Sequence, residues 1–266
     1  MRTILAVLSA TVLASATAFP QSRDTVFNQT DAGGLRQGYW KATYDNGKLK
    51  YKGYFKDGKP LGLFVRYYED GTRKAVMNYE PDGATVEVAF YYQDDSLGAR
   101  GKYVNQNKTG DWEFYSYYTH TLTCKETYID GKKEGLSIKY YPSHIISEEL
   151  EYHHDMKQGK WNQYYENGAP RLVGHYINNL RQGDYKVLYP SGLPQVKGAF
   201  LNDKMDGKWT YYNEDGKVDL EIEYANGNAL HPEKLDERSQ ALFKFIEENK
   251  GKYPEPDETN FLNPVK

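Results

Sequence analysis

Six histidines are the first place to look for chemistry: His120, His144, His153, His154, His175 and His231. Imidazole serves as general base and as metal ligand. Only His153 and His154 are neighbours, and neighbours within a strand point to opposite faces, so such a pair cannot hold one ion. A surface role is therefore expected for them. Asp94-Asp95 would offer two carboxylates to a cation, but the pair reads better as a solvated turn. Cys124 is the one cysteine, which excludes an intrachain disulfide and a Cys-based zinc site. It is expected as a buried strand thiol without reactivity. No Gly-x-Ser-x-Gly, His-Glu-x-x-His or phosphate-loop motif is present. The chain thus reads as non-enzymatic, with no catalytic residue, no cofactor and no metal. A formal charge of -3 with Lys and Glu interleaved argues against nucleic acid as a partner.

Tyrosine is the remaining chemistry-bearing residue. There are 26 in 266 residues, far above ordinary usage. A tyrosine presents a broad apolar ring with a polar tip, which suits contact with a peptide, a glycan or lipid headgroups. Six recur in one slot of a repeat and form the expected partner-binding row: Tyr67, Tyr91, Tyr115, Tyr140, Tyr164 and Tyr212.

The repeat that positions them is marked by Gly38, Gly62, Gly110, Gly135, Gly159, Gly183 and Gly207. Their spacing is about 24 residues, with one double gap whose missing start falls near Val86. About eight repeats therefore run over residues 38–230. Counting each start as position 0, position 2 is Trp40, Phe64, Val88, Trp112, Ser137, Trp161, Tyr185 and Trp209. Tyrosines follow at positions 4 to 6, and dipeptides such as Asn46-Gly47, Asp70-Gly71 and Asn167-Gly168 at positions 8 and 9. An aromatic stands at or beside position 17, as in Phe55, Tyr79, Tyr128, Tyr176 and Phe200. Each repeat reads as strand, two-residue turn, strand and loop. Asn-Gly suits a type I′ turn, with positive φ at both residues. That turn would pair position 6 with 11, 4 with 13, 2 with 15 and 0 with 17. Rings at position 2 would then lie over cross-strand glycines, as Trp40 over Gly53, Trp161 over Gly174 and Tyr185 over Gly198. Positions 0, 2, 4, 6, 11, 13, 15 and 17 would form the core face. The Tyr row at position 5 would lie on the other.

The expected fold is all-β: an elongated single-layer antiparallel sheet of about eight stacked hairpin repeats, whose stability comes from neighbours. The ends differ. Residues 1–18 have a basic start, an apolar stretch and Ala16-Thr17-Ala18, the pattern of a secretory signal peptide. Residues 19–37 read as a leader with an edge. Within residues 231–266, positions 232–250 read as a helix capping the last hairpin, with Leu235, Leu242, Phe245 and Ile246 near one face and Gly251 as its stop. A flexible tail follows.

The run Gly159-Lys160-Trp161-Asn162-Gln163-Tyr164-Tyr165-Glu166-Asn167-Gly168, with its aromatic second strand and Asp-Gly-Lys loops, resembles the bacterial variant of the MORN repeat. The resemblance covers about 190 of 266 residues. The repeat at Val86 departs most, lacking both its starting and its turn glycine, and the repeat at Gly110 carries an inserted residue. The resemblance implies stacked β-hairpins and a non-catalytic role. Bacterial proteins of this type are described as antitoxin-like partners of toxins, and other MORN proteins as membrane or lipid binders. Ser239 to Asn249 with Tyr253-Pro254 is also weakly similar to the opening helix of a TonB-type C-terminal domain.

Together these readings point to an exported, periplasmic or extracellular scaffold for an unknown protein partner. A carbohydrate or cell-wall module, or a lipid-surface module using the Tyr row, is the alternative.

Overall fold

The computed structural model describes residues 26–248 and divides into two compact units, one ending at Met156 and one beginning at Lys157. The expected signal segment and the tail, with Gly251, lie outside the described residues, as do the side chains of Leu242 and Ile246. Twenty strands and one helix, Glu233–Glu248, make up the described part. In each unit consecutive strands pair antiparallel as hairpins, so each sheet is single-layered, as the repeat predicts. In the first unit Gln29–Thr30 adds an edge to Arg36–Thr43.

Three expected pairings hold throughout the regular repeats. Gly38 faces Phe55, Trp40 faces Gly53 and Ala42 faces Tyr51. Gly207, Trp209 and Tyr211 face Tyr224, Ile222 and Leu220 in the same way. The pairing of position 6 with 11 does not hold. Position 5 takes that partner instead, Thr43 facing Leu49 and Tyr212 facing Val218, after a register shift.

The reason is the turn. Only position 9 has positive φ, 80° at Gly47 and 78° at Gly216. Gly47 N–H donates to Tyr44 O at 2.9 Å and Tyr44 N–H to Lys48 O at 2.8 Å. This is a three-residue loop, a type I turn closed by a left-handed residue and a bulge, rather than the expected type I′ turn. The Asn46 side chain stiffens it by accepting Lys48 N–H at 2.9 Å. Positions 6 and 11 consequently leave the face assigned to them.

Type I′ turns do occur, at the opposite edge, where the sequence suggested only loops. Asp57-Gly58 has φ of 51° and 77°, Asn178-Asn179 of 50° and 68°. Just beyond each such turn the starting glycine bulges. Its φ is 65° at Gly62 and at Gly207, and the register jumps opposite it, between Lys52 and Tyr54 in the first case. The odd repeats follow from this. Where Val86 replaces the glycine, Arg73–Tyr79 and Thr85–Tyr91 pair without a bulge, and the longer turn Pro81-Asp82-Gly83-Ala84 joins them. The residue inserted after Gly110 lengthens its turn, where Ser116 N–H reaches Thr121 O at 2.9 Å.

The bulge changes which ring covers which glycine. A Cβ on Gly53 would stand 2.0 Å from the Phe64 ring, on Gly101 2.3 Å from Trp112, and on Gly198 2.2 Å from Trp209. In each case the covering ring belongs to the next repeat, not to the in-register partner. Gly174 alone is nearest its expected ring, with Trp161 Cε3 at 3.2 Å. The core lies on the expected face: Trp112, Val88 and Tyr128 are buried and packed by Met77, Tyr103 and Phe114. Covering one's neighbour rather than oneself is what makes a single layer bury rings at all.

The helix touches the last hairpin through its first turns. Arg238 pairs with Asp219 at 2.6 Å and lies over Tyr211 at 5.9 Å. Leu235 is half-buried, whereas Phe243 and Phe245 are exposed.

Candidate functional site

The two tyrosines of each pair have different tasks. Those at position 6 are staples. Tyr44 O–H donates to Tyr67 O at 2.8 Å, Tyr68 to Tyr91 O at 2.8 Å and Tyr92 to Tyr115 O at 2.9 Å. In the second unit Tyr165 reaches Leu188 O at 2.7 Å and Tyr189 reaches Tyr212 O at 2.8 Å. Each phenol thus crosses to the position-5 carbonyl of the next repeat.

The position-5 side chains form the row expected to meet a partner. By strand alternation they lie opposite the Trp face. Tyr67, Tyr91, Tyr115 and Tyr140 in the first unit, and Tyr164 and Tyr212 in the second, are all half-buried. Charged side chains intervene. Arg73 lies 4.4 Å over Tyr91 while its guanidinium forks onto Asp95 at 2.8 and 2.7 Å. Lys197 lies 5.3 Å over Tyr212. Arg100, Glu113 and Lys125 stand side by side across three strands, with contacts of 2.6 and 3.1 Å. Burial works to raise the Glu113 pKa, but bonds from Tyr115, Lys125 and Arg100 outweigh it and hold the carboxyl below its usual range. Burial, joined by the bond to Glu113, pushes the Tyr115 phenol up to about 12. Burial also raises Tyr140. These phenols stay neutral donors at physiological pH.

The Trp face is more self-contained. Trp112 is 1% exposed and its indole N–H donates to Lys102 O at 3.1 Å; Trp209 is 3% exposed and donates to Ala199 O at 3.1 Å. A row of cations covers this face, unexpected from the sequence. Arg36 sits 4.8 Å from Trp40, Lys108 4.6 Å from Trp112 and Arg181 4.0 Å from Phe200. Each stands two residues before a starting glycine, so the spacing was visible and only its purpose was not. Burial lowers the Lys108 amine. In the second unit a groove of about 560 Å³ opens here between Tyr185, Phe200, Trp209 and Tyr211, beside the Arg181–Asp203 pair.

The ring ladder is interrupted in the first unit at Ser137, which is buried and faces Leu150. Next to it Glu126 accepts from Tyr128 O–H and Lys133 Nζ. Cys124 is half-buried and 3.8 Å from Ser137 Oγ, and burial above all raises its thiol pKa. That agrees with an unreactive thiol. Asp94 and Asp95 stand in a turn as expected, Asp94 bonded to Ser96 and His120.

The histidine expectation needs correction. The strand Ile146–His153 ends at His153, and His154 has a φ of 50° in the following turn. The two rings therefore come together, centroids 4.2 Å apart, instead of facing opposite sides. Glu134 joins them, its Oε1 at 2.8 Å from His153 Nδ1.

No curated protein matches the chain. A family model described as the MORN repeat variant matches residues 36–57, 157–178 and 205–226. Each match spans one starting glycine, its ring, its Asn-Gly or Asp-Gly turn and the second strand, and ends on the first residue of the type I′ turn, so at these three places the chain carries MORN-variant repeats.

Proposed function

We propose that the chain is an exported, non-catalytic repeat scaffold of the cell envelope that binds a protein partner through its Tyr row. One observation carries this reading. The Trp face spends its rings on neighbouring backbone, whereas Tyr67, Tyr91, Tyr115, Tyr140, Tyr164 and Tyr212 stand partly exposed in one row on the opposite face. Rigid half-buried rings among paired charges bind at little entropic cost, because they are already ordered. MORN-variant repeats fit a binding scaffold, and an antitoxin-like role, with a toxin as the partner, is the specific form favoured.

The test is site-specific photo-crosslinking in the native cells. A photoreactive phenylalanine replaces Tyr140, Tyr164 or, as control, the exposed turn residue Asp215. A discrete protein adduct at the two Tyr sites, absent at Asp215, supports the proposal. Adducts equal at all three sites would refute it. The groove beside Tyr185 and Tyr211 favours a second reading, a glycan module. It ranks lower because Phe200 and Trp209 are already 7% and 3% exposed, leaving little ring to stack on a sugar. Co-sedimentation with peptidoglycan that is lost in Tyr211→Ala would reverse the ranking.

A further inference from the structure

We propose that Glu134, His153 and His154 form a binding site for one divalent transition-metal ion, with Zn²⁺ or Cu²⁺ best suited. One donor atom from each lies within 4.8 Å of the others. His153 Nε2 and His154 Nδ1 are 3.0 Å apart, and His154 Nδ1 is 3.6 Å from Glu134 Oε2. Ligands about 2.0–2.1 Å from a tetrahedral ion stand roughly 3.3 Å from each other, and the two separations straddle that value. Two imidazoles, which are borderline ligands, outweigh the one hard carboxylate and favour Cu²⁺ and Zn²⁺ over Mg²⁺ or Ca²⁺.

The repeat itself supplies the control. In ordinary repeats the residue before the starting glycine braces the type I′ turn. Gln37 accepts Asp57 N–H at 3.0 Å, Gln158 accepts Asn178 N–H at 2.9 Å and Gln182 accepts Asn202 N–H at 2.9 Å. Glu134 performs the same task for His154 N–H at 2.9 Å. Glutamine is enough for that brace. Here, and in no other repeat, the brace is Glu, the strand end is His where Ile177 and Leu201 stand elsewhere, and the turn is His where Asp or Asn stands. Three substitutions toward metal-binding side chains thus coincide at one point. A histidine in the left-handed region is also less suited to the turn than asparagine.

The surroundings are compatible with a cation. Lys133 Nζ is turned to Glu126, and Asp155 Oδ1 is occupied by Lys133 N–H at 2.7 Å. His153 and His154 side chains are 57% and 59% exposed, so an ion enters directly and keeps water in its open positions. Glu134 Oε1 accepts from His153 Nδ1–H, which leaves the Nε2 lone pair outward; to ligate the same ion the carboxylate releases that bond and turns an oxygen to the metal. Without metal that lone pair accepts from His154 Nδ1–H. With metal, His154 carries its proton on Nε2 instead, and both lone pairs turn to the ion.

The experiment uses the full chain without a histidine tag, stripped by chelator and titrated calorimetrically with Zn²⁺ and Cu²⁺. One ion per chain is expected. Glu134→Gln, which keeps the brace, should weaken binding at least about tenfold, since losing even an outer-shell partner costs that much. The triple variant E134Q/H153I/H154N restores the residues of neighbouring repeats, folds on their precedent and should lose the site. Histidine NMR during the Zn²⁺ titration gives a readout on the unmodified chain, in which two of the six imidazoles should shift first. Equal affinity in the wild type and the triple variant, or His153 and His154 signals that move no earlier than the others, overturns the proposal.

Discussion

Replacing Gly198 by Ala tests how a single layer buries its rings. The added Cβ would lie 2.2 Å from Trp209 Cδ2 and 2.4 Å from Cε2, both in a rigid ring. Carbon atoms rest about 3.5–4.0 Å apart, so the indole must withdraw by more than an ångström. Withdrawal strains the hydrogen bond to Ala199 O at 3.1 Å, worth about 1 kcal/mol. It also disturbs the edge contact with Phe200 at 5.0 Å and the tilted contact with Tyr185 at 5.7 Å, each about 0.5–1.5 kcal/mol. The expected destabilisation is about 3 kcal/mol, the upper part of the overpacking range. Gly174→Ala, in the same unit, would meet Trp161 Cε3 at 3.2 Å, with Tyr185 and Leu172 at ordinary contact distances of 3.5 and 3.7 Å, and should cost less than about 1 kcal/mol. Sequence register treats the two glycines alike, because Trp161 faces Gly174 and Tyr185 faces Gly198. The measurement is urea unfolding of both variants by circular dichroism and tryptophan fluorescence, with a Gly198→Ala/Trp209→Leu cycle. A coupling of about 2 kcal/mol is expected in that cycle. Equal penalties at Gly174 and Gly198, or additivity with Trp209 within about 0.5 kcal/mol, would refute the reasoning.

Other outcomes follow from the same geometry. Gly207→Ala meets no atom within 4 Å but sits at a φ of 65°, so it should cost about 1–2 kcal/mol by conformation alone, while Val86→Ala at the unbulged start should show no such conformational penalty; urea midpoints compare them. Tyr189→Phe removes the donor to Tyr212 O and should cost about 1 kcal/mol without changing the strand content seen by circular dichroism. Glu113 has its folded pKa held below the 4.5 of a free carboxyl, so its stabilisation is complete above that pH and is lost as pH falls through the folded value. The difference in thermal midpoint between wild type and Glu113→Gln should therefore shrink as pH drops from neutrality below 4.5, and a constant difference would contradict the assignment.

Much of the fold was legible because the repeat states it many times. Three of the four pairings, the core face apart from positions 6 and 11, and the placement of the Tyr row opposite it follow from the spacing of glycine and aromatic residues. The turn types were exchanged because Asn-Gly suits either a two-residue type I′ turn or a three-residue loop ending in a left-handed glycine. The single positive φ at Gly47 and the pairing of Thr43 with Leu49 distinguish them. The covering of Gly53 by Phe64 was hidden because it depends on a bulge that displaces a ring toward the preceding strand. The position-6 staples were missed because their acceptors are backbone carbonyls in the next repeat, and no residue type marks a carbonyl. His153 and His154 were placed on opposite faces by a rule that holds inside strands, and the strand stops between them.

That last failure shows where new chemistry can enter such a chain. A repeat that loses its glycine, ring or phenol disturbs its neighbour too and needs compensation, as at Ser137. Brace, strand end and turn at the type I′ edge carry a lighter duty, since any acceptor and any residue tolerant of positive φ will serve. The repeat beginning at Gly135 keeps the pairing of Gly135 with Tyr152 while changing all three edge positions. It even gives up its ring, with Ser137 filled from across by Leu150. Function added at an edge turn leaves the stacking energy of neighbouring repeats untouched, because the nearest-neighbour term comes from the rings and staples of the sheet and not from the turn residues. The Glu134–His153–His154 group is therefore separable from the fold: restoring Gln, Ile and Asn there should change metal binding and leave the unfolding midpoint within about 0.5 kcal/mol of the parent. A larger loss of stability would mean that the histidines brace the turn, and that edge and stack are not independent.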